Sequence, residues 1–453
     1  MKLYYDIQDK PKFPQLVIYA VQQLLAIMAA TLVVPLIIGN GMQPSAALFG
    51  AGVGTLVYQL FTRGKSPVFL GSSFAFIGSM SAAFAGGVSA ALGYAGIILG
   101  AIFGGLVYVV IALIVKFVGV NWIDKLMPKQ VIGPTVAIIG LSLAGNAIGD
   151  LQTGDVKILV DNGGEVVSQM AANPLIAVLC GLVALFVTMI CSTYGKKSIK
   201  LIPFIIGILS GYGVAAIFTV IGNSAGIDAL KVIDFSVFSG MTILEIPQFT
   251  FLTAIDGVKE IDASYVGTIA MAYLPVAFVV FAEHIADHKN ISSIIEKDLL
   301  KEPGLDKTLL GDGVGSMFGA FFGGCPNTTY GESVACVAIT KNASVATIRA
   351  AAIGAILISF FSPFVAFVDS IPACVMGGVC MALYGFIAVS GLKMIQSVDL
   401  EDNRNLFTVS VILIAGIGGL ALSFGKITIT SVACALILGI ITNFALGKKA
   451  KAE

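Results

Sequence analysis

Residues 66–78 read SPVFLGSSFAFIG and residues 324–341 read GCPNTTYGESVACVAITK. Both lie within long apolar regions, yet small and hydroxyl-bearing residues interrupt each of them. The first contains Gly71-Ser72-Ser73-Phe74-Ala75-Phe76, the second Asn327-Thr328-Thr329-Tyr330-Gly331-Glu332. A regular membrane helix needs roughly 20 apolar residues and would be rich in Leu and Val here. Backbone that leaves a helix inside hydrocarbon must face protein or a polar cavity, because its N–H and C=O groups cannot go unpaired. Each stretch therefore reads as extended chain that enters a half-helix. Either one alone would also fit close helix packing through Gly and Ser; their matching positions favour the broken-helix reading.

Working outward, apolar runs near 15–38, 43–62, 66–84, 89–115, 127–149, 174–192, 198–222, 264–288, 304–324, 326–341, 343–368, 370–393, 404–424 and 427–447 read as crossings. Fourteen divides as seven plus seven, and an odd number turns the second half upside down relative to the first. Inverted repeats of this kind mark transporters, with half-helix ends supplying N–H donors to a substrate. The expected fold class is an all-α polytopic membrane protein, a 7+7 inverted repeat in which segments 3 and 10 are short and partly extended.

Composition agrees. Of 453 residues only 11% are charged and 57% are hydrophobic, against about 25% charged in a soluble domain. That excludes a soluble globule, a disordered chain and a nucleic-acid binder. With the N-terminus inside, 26 Lys and Arg residues fall on the cytoplasmic side except Lys157, Lys231, Lys259 and Lys426, as the positive-inside rule demands. Both termini are expected in the cytoplasm. The N-terminal MKLYYDIQDKPKF lacks the features of a cleaved signal, so the first apolar run is expected to remain as an anchor. The seven Cys sit in apolar runs without a CxxC pair and read as small core residues. The two long outside segments predict a small hairpin over 150–173 and an interfacial helix within 223–263.

Carboxylates inside a membrane are costly and usually functional. The eighth crossing ends PVAFVVFAEHIADHKN, grouping Glu283, His284, Asp287 and His288, and the tenth holds Glu332. Glu283 and Asp287, four apart, share one helix face; His284 and His288 share a neighbouring one. Three readings of the cluster stand open. It is a helix end surfacing in water, a metal site using the His284/His288 spacing, or a substrate and proton site in which protonation is linked to occupancy.

These motifs, with AEHIADHKNISSIIEKDLLKEPGL (282–305) and IPACVMGGVCMALYGFIAVSGLK (371–393), resemble the nucleobase–cation symporter family, the nucleobase–ascorbate transporters, nearly end to end. The resemblance implies a core domain, residues 1–119 and 264–368, and a gate domain, residues 120–263 and 369–453, with the core moving against the gate. It implies a homodimer through the gates in the bacterial plasma (inner) membrane. The implied activity is proton-coupled uptake of uracil, with no enzymatic chemistry, no cofactor and no metal. The coupling ion is H+, with Na+ as the alternative. Carried over by position, Glu283 and Glu332 accept from the base N–H groups, the backbone N–H groups of Phe74 and Gly331 donate to its carbonyls, and Tyr330 and Tyr384 line the pocket. Glu283, Asp287 and His288 are the proton-coupling candidates.

Uracil is a flat neutral imide with two donors and two acceptors, which two carboxylates and two backbone amides would complement. A site built on such an edge rejects analogues that leave its polar groups unpaired. A carboxylate at Glu332, where purine-transporting relatives tend to carry Gln, favours a pyrimidine over xanthine or urate. Ser333 and Ala335 depart from the family's Asn and Gly, Gln22-Gln23 from its Gln-His, and Asp287 stands where some relatives place a His. No phosphate-binding loop is present to use ATP. The remaining alternatives are an anion exchanger of the same fold, which would want a basic residue at the half-helix ends, and an intramembrane metalloenzyme.

Overall fold

The computed structural model describes residues 3–119, 122, 128–161, 166–196, 198–424 and 427–447. Lys2, Lys125, Lys197, Lys426, Lys448, Lys449, Lys451 and residues 162–165 of the predicted hairpin segment lie outside the described residues.

The first half runs α1 (Phe13–Ile38), α2 (Pro44–Phe61), β1 (Leu70–Ser72), α3 (Ile77–Ala83), α4 (Ala90–Val118), α5 (Lys129–Ser142), α6 (Ala144–Leu151), the strands β2 (Lys157–Asp161) and β3 (Val166–Met170), α7 (Pro174–Tyr194) and α8 (Pro203–Ala225). A short α9 (Thr250–Gly257) precedes the second half. That half comprises α10 (Ala263–Ile295), α11 (Leu305–Gly323), β4 (Asn327–Thr329), α12 (Gly331–Thr340), α13 (Val345–Ile358), α14 (Ser362–Asp369) and α15 (Ala373–Ile395). It closes with α16 (Asn403–Ile417), β5 (Leu422–Phe424), β6 (Ile427–Ile429) and α17 (Ser431–Gly447). Proline opens α1, α2, α7 and α8 in the first turn, where its missing N–H leaves no helical bond unmade. Side chains of Ser89, Asn173, Asp262 and Asp402 accept hydrogen bonds from the first turns of α4, α7, α10 and α16, satisfying donors that would otherwise be bare.

Among the described residues eight helical spans are long and apolar enough to cross a membrane. Of the other crossings, the ninth is the 19-residue α11 and the rest hold shorter helices, several of them broken where the sequence reading expected continuous spans. Crossings 3 and 10 are broken as expected. Crossing 5 is interrupted at Leu143, and crossing 11 breaks between α13 and α14. Pro363 in the first turn of α14 explains the second break, since a proline cannot continue the preceding helix. Crossings 13 and 14 each hold an extended piece, and β5 pairs antiparallel with β6. The β-branched run Ile427-Thr428-Ile429-Thr430 favours that conformation, which an apolar count could not distinguish from helix.

The chain divides into two compact units. One comprises Met1–Ser142, Pro247–Ser359 and Ile387–Glu453, the other Leu143–Ile246 and Phe360–Phe386. In the second unit α7 packs on α8, and the predicted outside hairpin is present as β2 paired with β3, from Lys157↔Met170 to Asp161↔Val166. In the first unit the expected helix within 223–263 is α9, which packs on α4. It buries Thr250, Ala254 and Gly257 and leaves Leu252 and Ile255 exposed.

The first unit centres on α2 and α11. A Cβ on Gly50 would meet the Gly319 carbonyl at 2.5 Å, and one on Gly54 the Gly315 carbonyl at 2.7 Å. Only glycine lets these backbones touch, as in membrane helix pairs generally. The two broken crossings meet beside this pair. β1 and β4 run antiparallel with Leu70↔Thr329, Gly71↔Thr328 and Ser72↔Asn327, and Ser73 N–H extends the ladder to the Pro326 carbonyl at 2.9 Å. Each half thus satisfies the backbone groups that the other half's break exposes. All seven Cys are free, six buried and Cys191 half-buried.

Candidate functional site

The strand crossing sets the positions of the acids. α12 starts two residues after β4, so Glu332 falls in its first turn, and α10 packs against both β4 and α12. Asp287 on α10 accepts a hydrogen bond from Thr329 Oγ1 at 2.7 Å. A Cβ on Gly331 would lie 3.9 Å from Asp287 Oδ1, so the start of α12 faces this carboxylate directly. Glu283 lies one helical turn before Asp287 on the same face of α10. Glu283, Asp287 and Glu332 are half-buried, whereas Gly331 is exposed. Four of the sequence-predicted residues, Glu283, Asp287, Gly331 and Glu332, therefore gather at one place.

Phe74 sits in the turn between β1 and α3, half-buried, its carbonyl accepting from Ile77 N–H at 3.1 Å. Tyr330 is buried and does a more specific job than lining a pocket. Its hydroxyl donates to the Ser72 carbonyl at 2.6 Å, and its ring lies where a side chain on Gly71 would be, 2.5 Å from an added Cβ. It ties β4 to β1. Tyr384 is buried on α15 in the second unit.

The histidines face elsewhere. His284 Nδ1 is 2.6 Å from Asp312 Oδ2 on α11, and its Nε2 is 3.0 Å from Thr308 Oγ1. The Thr308 hydroxyl also lies 3.1 Å from the Leu305 carbonyl, so its single hydrogen serves one partner or the other. His288 Nδ1 is 2.8 Å from the His284 carbonyl, and its Nε2 is 2.7 Å from the Tyr58 hydroxyl, which also meets Ser66 Oγ at 2.7 Å. Tyr58, His284, His288 and Asp312 are all fully buried. The helix-end-in-water reading of this cluster is thus overturned: α10 continues to Ile295 and His288 has no exposed surface. Each of the four ring nitrogens has a hydrogen-bonding neighbour, and among the described residues no group of three His, Cys, Asp or Glu side chains is placed to hold a metal.

Sequence reasoning missed Asp312, Thr329 and Tyr58. Asp312 could have been found, being an acid inside the apolar ninth crossing; Thr329 and Tyr58 carry no such signal. Two departures from the family pattern, noted separately in the sequence, turn out to be partners. Ser333 Oγ accepts from Gln23 Nε2 on α1 and from Phe69 N–H at 3.1 Å. One hydroxyl oxygen joins α1, the approach to β1 and α12.

A helical bundle in which two interrupted crossings pair strand to strand beside half-buried acids defines a membrane transporter of the inverted-repeat class. Residues 14–424 match the sequence model of the Permease family. The chain is 37% identical to the uracil permease of Bacillus caldolyticus, covering 99% of this chain and 96% of the relative. Its fold is that of murine Solute Carrier 26 family member A9, an anion transporter in the inward-facing state, with TM-score 0.66 at 12% identity over 97% of this chain and 69% of the other. The transmembrane domain of the cyanobacterium bicarbonate transporter BicA matches with TM-score 0.61 at 14% identity, over 97% and 100%. The chain belongs to the nucleobase–ascorbate transporter family, and its 7+7 inverted repeat is shared with these solved transporters.

Proposed function

We propose that this protein carries uracil into the cell together with a proton. The observation that carries the reading is the β1–β4 crossing, which gathers Glu332, Gly331 and Asp287 at one point in a chain related to proteins named uracil permeases. Glu283 and Glu332 accept from the two ring N–H groups, and the backbone N–H groups of Phe74 and Gly331 donate to the carbonyls. Tyr330 fixes the strand crossing, and Tyr330 and Tyr384 are the aromatic residues that the family resemblance assigns to the pocket.

Several carboxyls close together repel one another when ionised, and a proton added to the group relieves that repulsion. A ring that displaces water from the group makes it costlier to keep every carboxyl ionised, so occupancy and uptake of one proton favour each other, with Glu283 and Asp287 as the coupling groups. His288 is held by the Tyr58 hydroxyl and the His284 carbonyl and acts as an anchor of α10. In the cycle the core (crossings 1–4 and 8–11) moves against the gate (5–7 and 12–14), in a homodimer joined at the gates, in a bacterial inner membrane with both termini cytoplasmic.

Collapsing the proton gradient with an ionophore is expected to stop accumulation of labelled uracil in cells or proteoliposomes. Accumulation that survives the ionophore and requires sodium would replace the coupling ion. Competition by unlabelled uracil but not by xanthine or urate is expected in the same assay.

A further inference from the structure

The first described residues make a structure of their own. Tyr4 and Tyr5 N–H groups donate to the Lys341 carbonyl at 2.8 and 3.4 Å, Ala343 N–H donates to the Tyr5 carbonyl at 2.9 Å, and Val345 N–H donates to the Ile7 carbonyl at 3.0 Å. Tyr5 and Asn342 form a parallel bridge. The segment is thereby laid along residues 341–345, the connection that leaves α12, where Lys341 adopts φ +56°. Three side-chain bonds extend the grip. Ser344 Oγ donates to the Asp9 carbonyl at 2.6 Å, Gln8 Nε2 donates to the Gly64 carbonyl at 2.7 Å, and Asp6 pairs with Lys297. That pair holds the Asp6 carboxyl below its usual range. Segment 3–9 so touches the ends of α2, α10 and α12 at once.

Ile7 makes the connection to the site. It is buried in one cluster with Tyr58, Val68 and Leu70, with Ile291, Ile295 and Leu299, and with Val334 and Val337. Ile291 is one helical turn beyond Asp287, Val334 is two residues beyond Glu332, and Leu70 is the first residue of β1. The three elements that assemble the acids thus share one apolar knot within about a turn of them, and the side chain of Ile7 is part of it.

We propose that residues 3–9 are a brace that fixes α10 and α12 relative to β1, so that Ile7, with Asp6 and Lys297, is a positioning residue for the substrate site. The inference rests on the uracil reading for its functional consequence. A half-helix of ten residues, α12, has little stability alone, and its direction is set by what holds its two ends: the β1–β4 pair at one and the brace at the other.

The test measures uracil affinity and amide hydrogen exchange on purified full-length protein for Ile7→Asn, Asp6→Lys, Lys297→Asp and the charge-swapped double variant. Asn at position 7 puts an amide into an apolar cluster, and weakening of uracil binding by about fivefold or more is expected, with faster exchange over 331–340. Each charge reversal is expected to weaken binding by about two- to fivefold, the scale of an exposed ion pair, and the double variant to restore it. If Ile7→Asn does not fold, the charge series decides. Melting temperatures that fall while uracil affinity stays at the wild-type value would overturn the proposal and leave a mere fastening. Wild-type protein that binds no uracil would instead sink the functional reading. In that case the exchange data still decide on the brace: unaltered protection of 331–340 overturns it, and lost protection upholds it.

Discussion

Glu332→Gln is expected to remove measurable uracil binding while leaving the protein folded. In the proposed site the carboxylate of Glu332 accepts from a ring N–H; an amide in its place presents an NH2 group that can meet that N–H donor to donor. A hydrogen bond to a charged group is worth about 1.5–3 kcal/mol, and a buried donor left unpaired costs about 1–3 kcal/mol more. Together, about 2.5–6 kcal/mol, these correspond to an affinity loss on the order of a hundredfold to ten-thousandfold. Fold should survive because Glu332 is in the first turn of α12 and half-buried, and the bonds that hold this helix run through Ser333, Tyr330 and Thr329. Isothermal titration with uracil checks it; unchanged affinity would take Glu332 out of the site.

The second large effect concerns stability. Asp312 and His284 are a buried pair with no exposed surface on either side chain. Removing one partner of such a pair costs about 3–5 kcal/mol, because the other is left buried and uncompensated, whereas replacing both by apolar groups is often neutral. Asp312→Leu is therefore expected to lower the unfolding midpoint sharply or to stop the protein accumulating in membranes. The double variant His284→Leu/Asp312→Leu should recover at least half of that loss. A single variant that unfolds like the wild type would mean that the pair contributes little. A double variant no better than the single one would mean that Asp312 acts through other partners.

Much of the site was legible in the sequence for physical reasons. Acids in apolar spans are rare enough to stand out, which is why Glu283, Asp287 and Glu332 could be named. The breaks at Gly71-Ser72 and Asn327-Thr328 were legible because small polar residues violate the composition of a spanning helix. What stayed hidden depends on distance across the chain. Gln23 and Ser333 are 310 residues apart, and no local pattern says that one donates to the other. Thr329 looked like one hydroxyl among several until the register of β4 placed it against Asp287. The breaks in crossings 5, 13 and 14 were lost for another reason: the residues around them are mostly apolar, so composition alone could not separate half-helix and strand from continuous helix, whereas crossing 11 did carry a signal in Pro363.

We propose that two interrupted segments, one from each half, join with half-buried acids to hold uracil. A structure of the purified protein with uracil bound tests it most directly. The expected result is a ring lying between Glu283 and Glu332, within hydrogen-bond distance of both carboxylates and of the backbone N–H groups of Phe74 and Gly331, with β1 and β4 still paired. A ring bound elsewhere in the bundle, or carboxylates of Glu283 and Glu332 that turn away from it, would contradict the account.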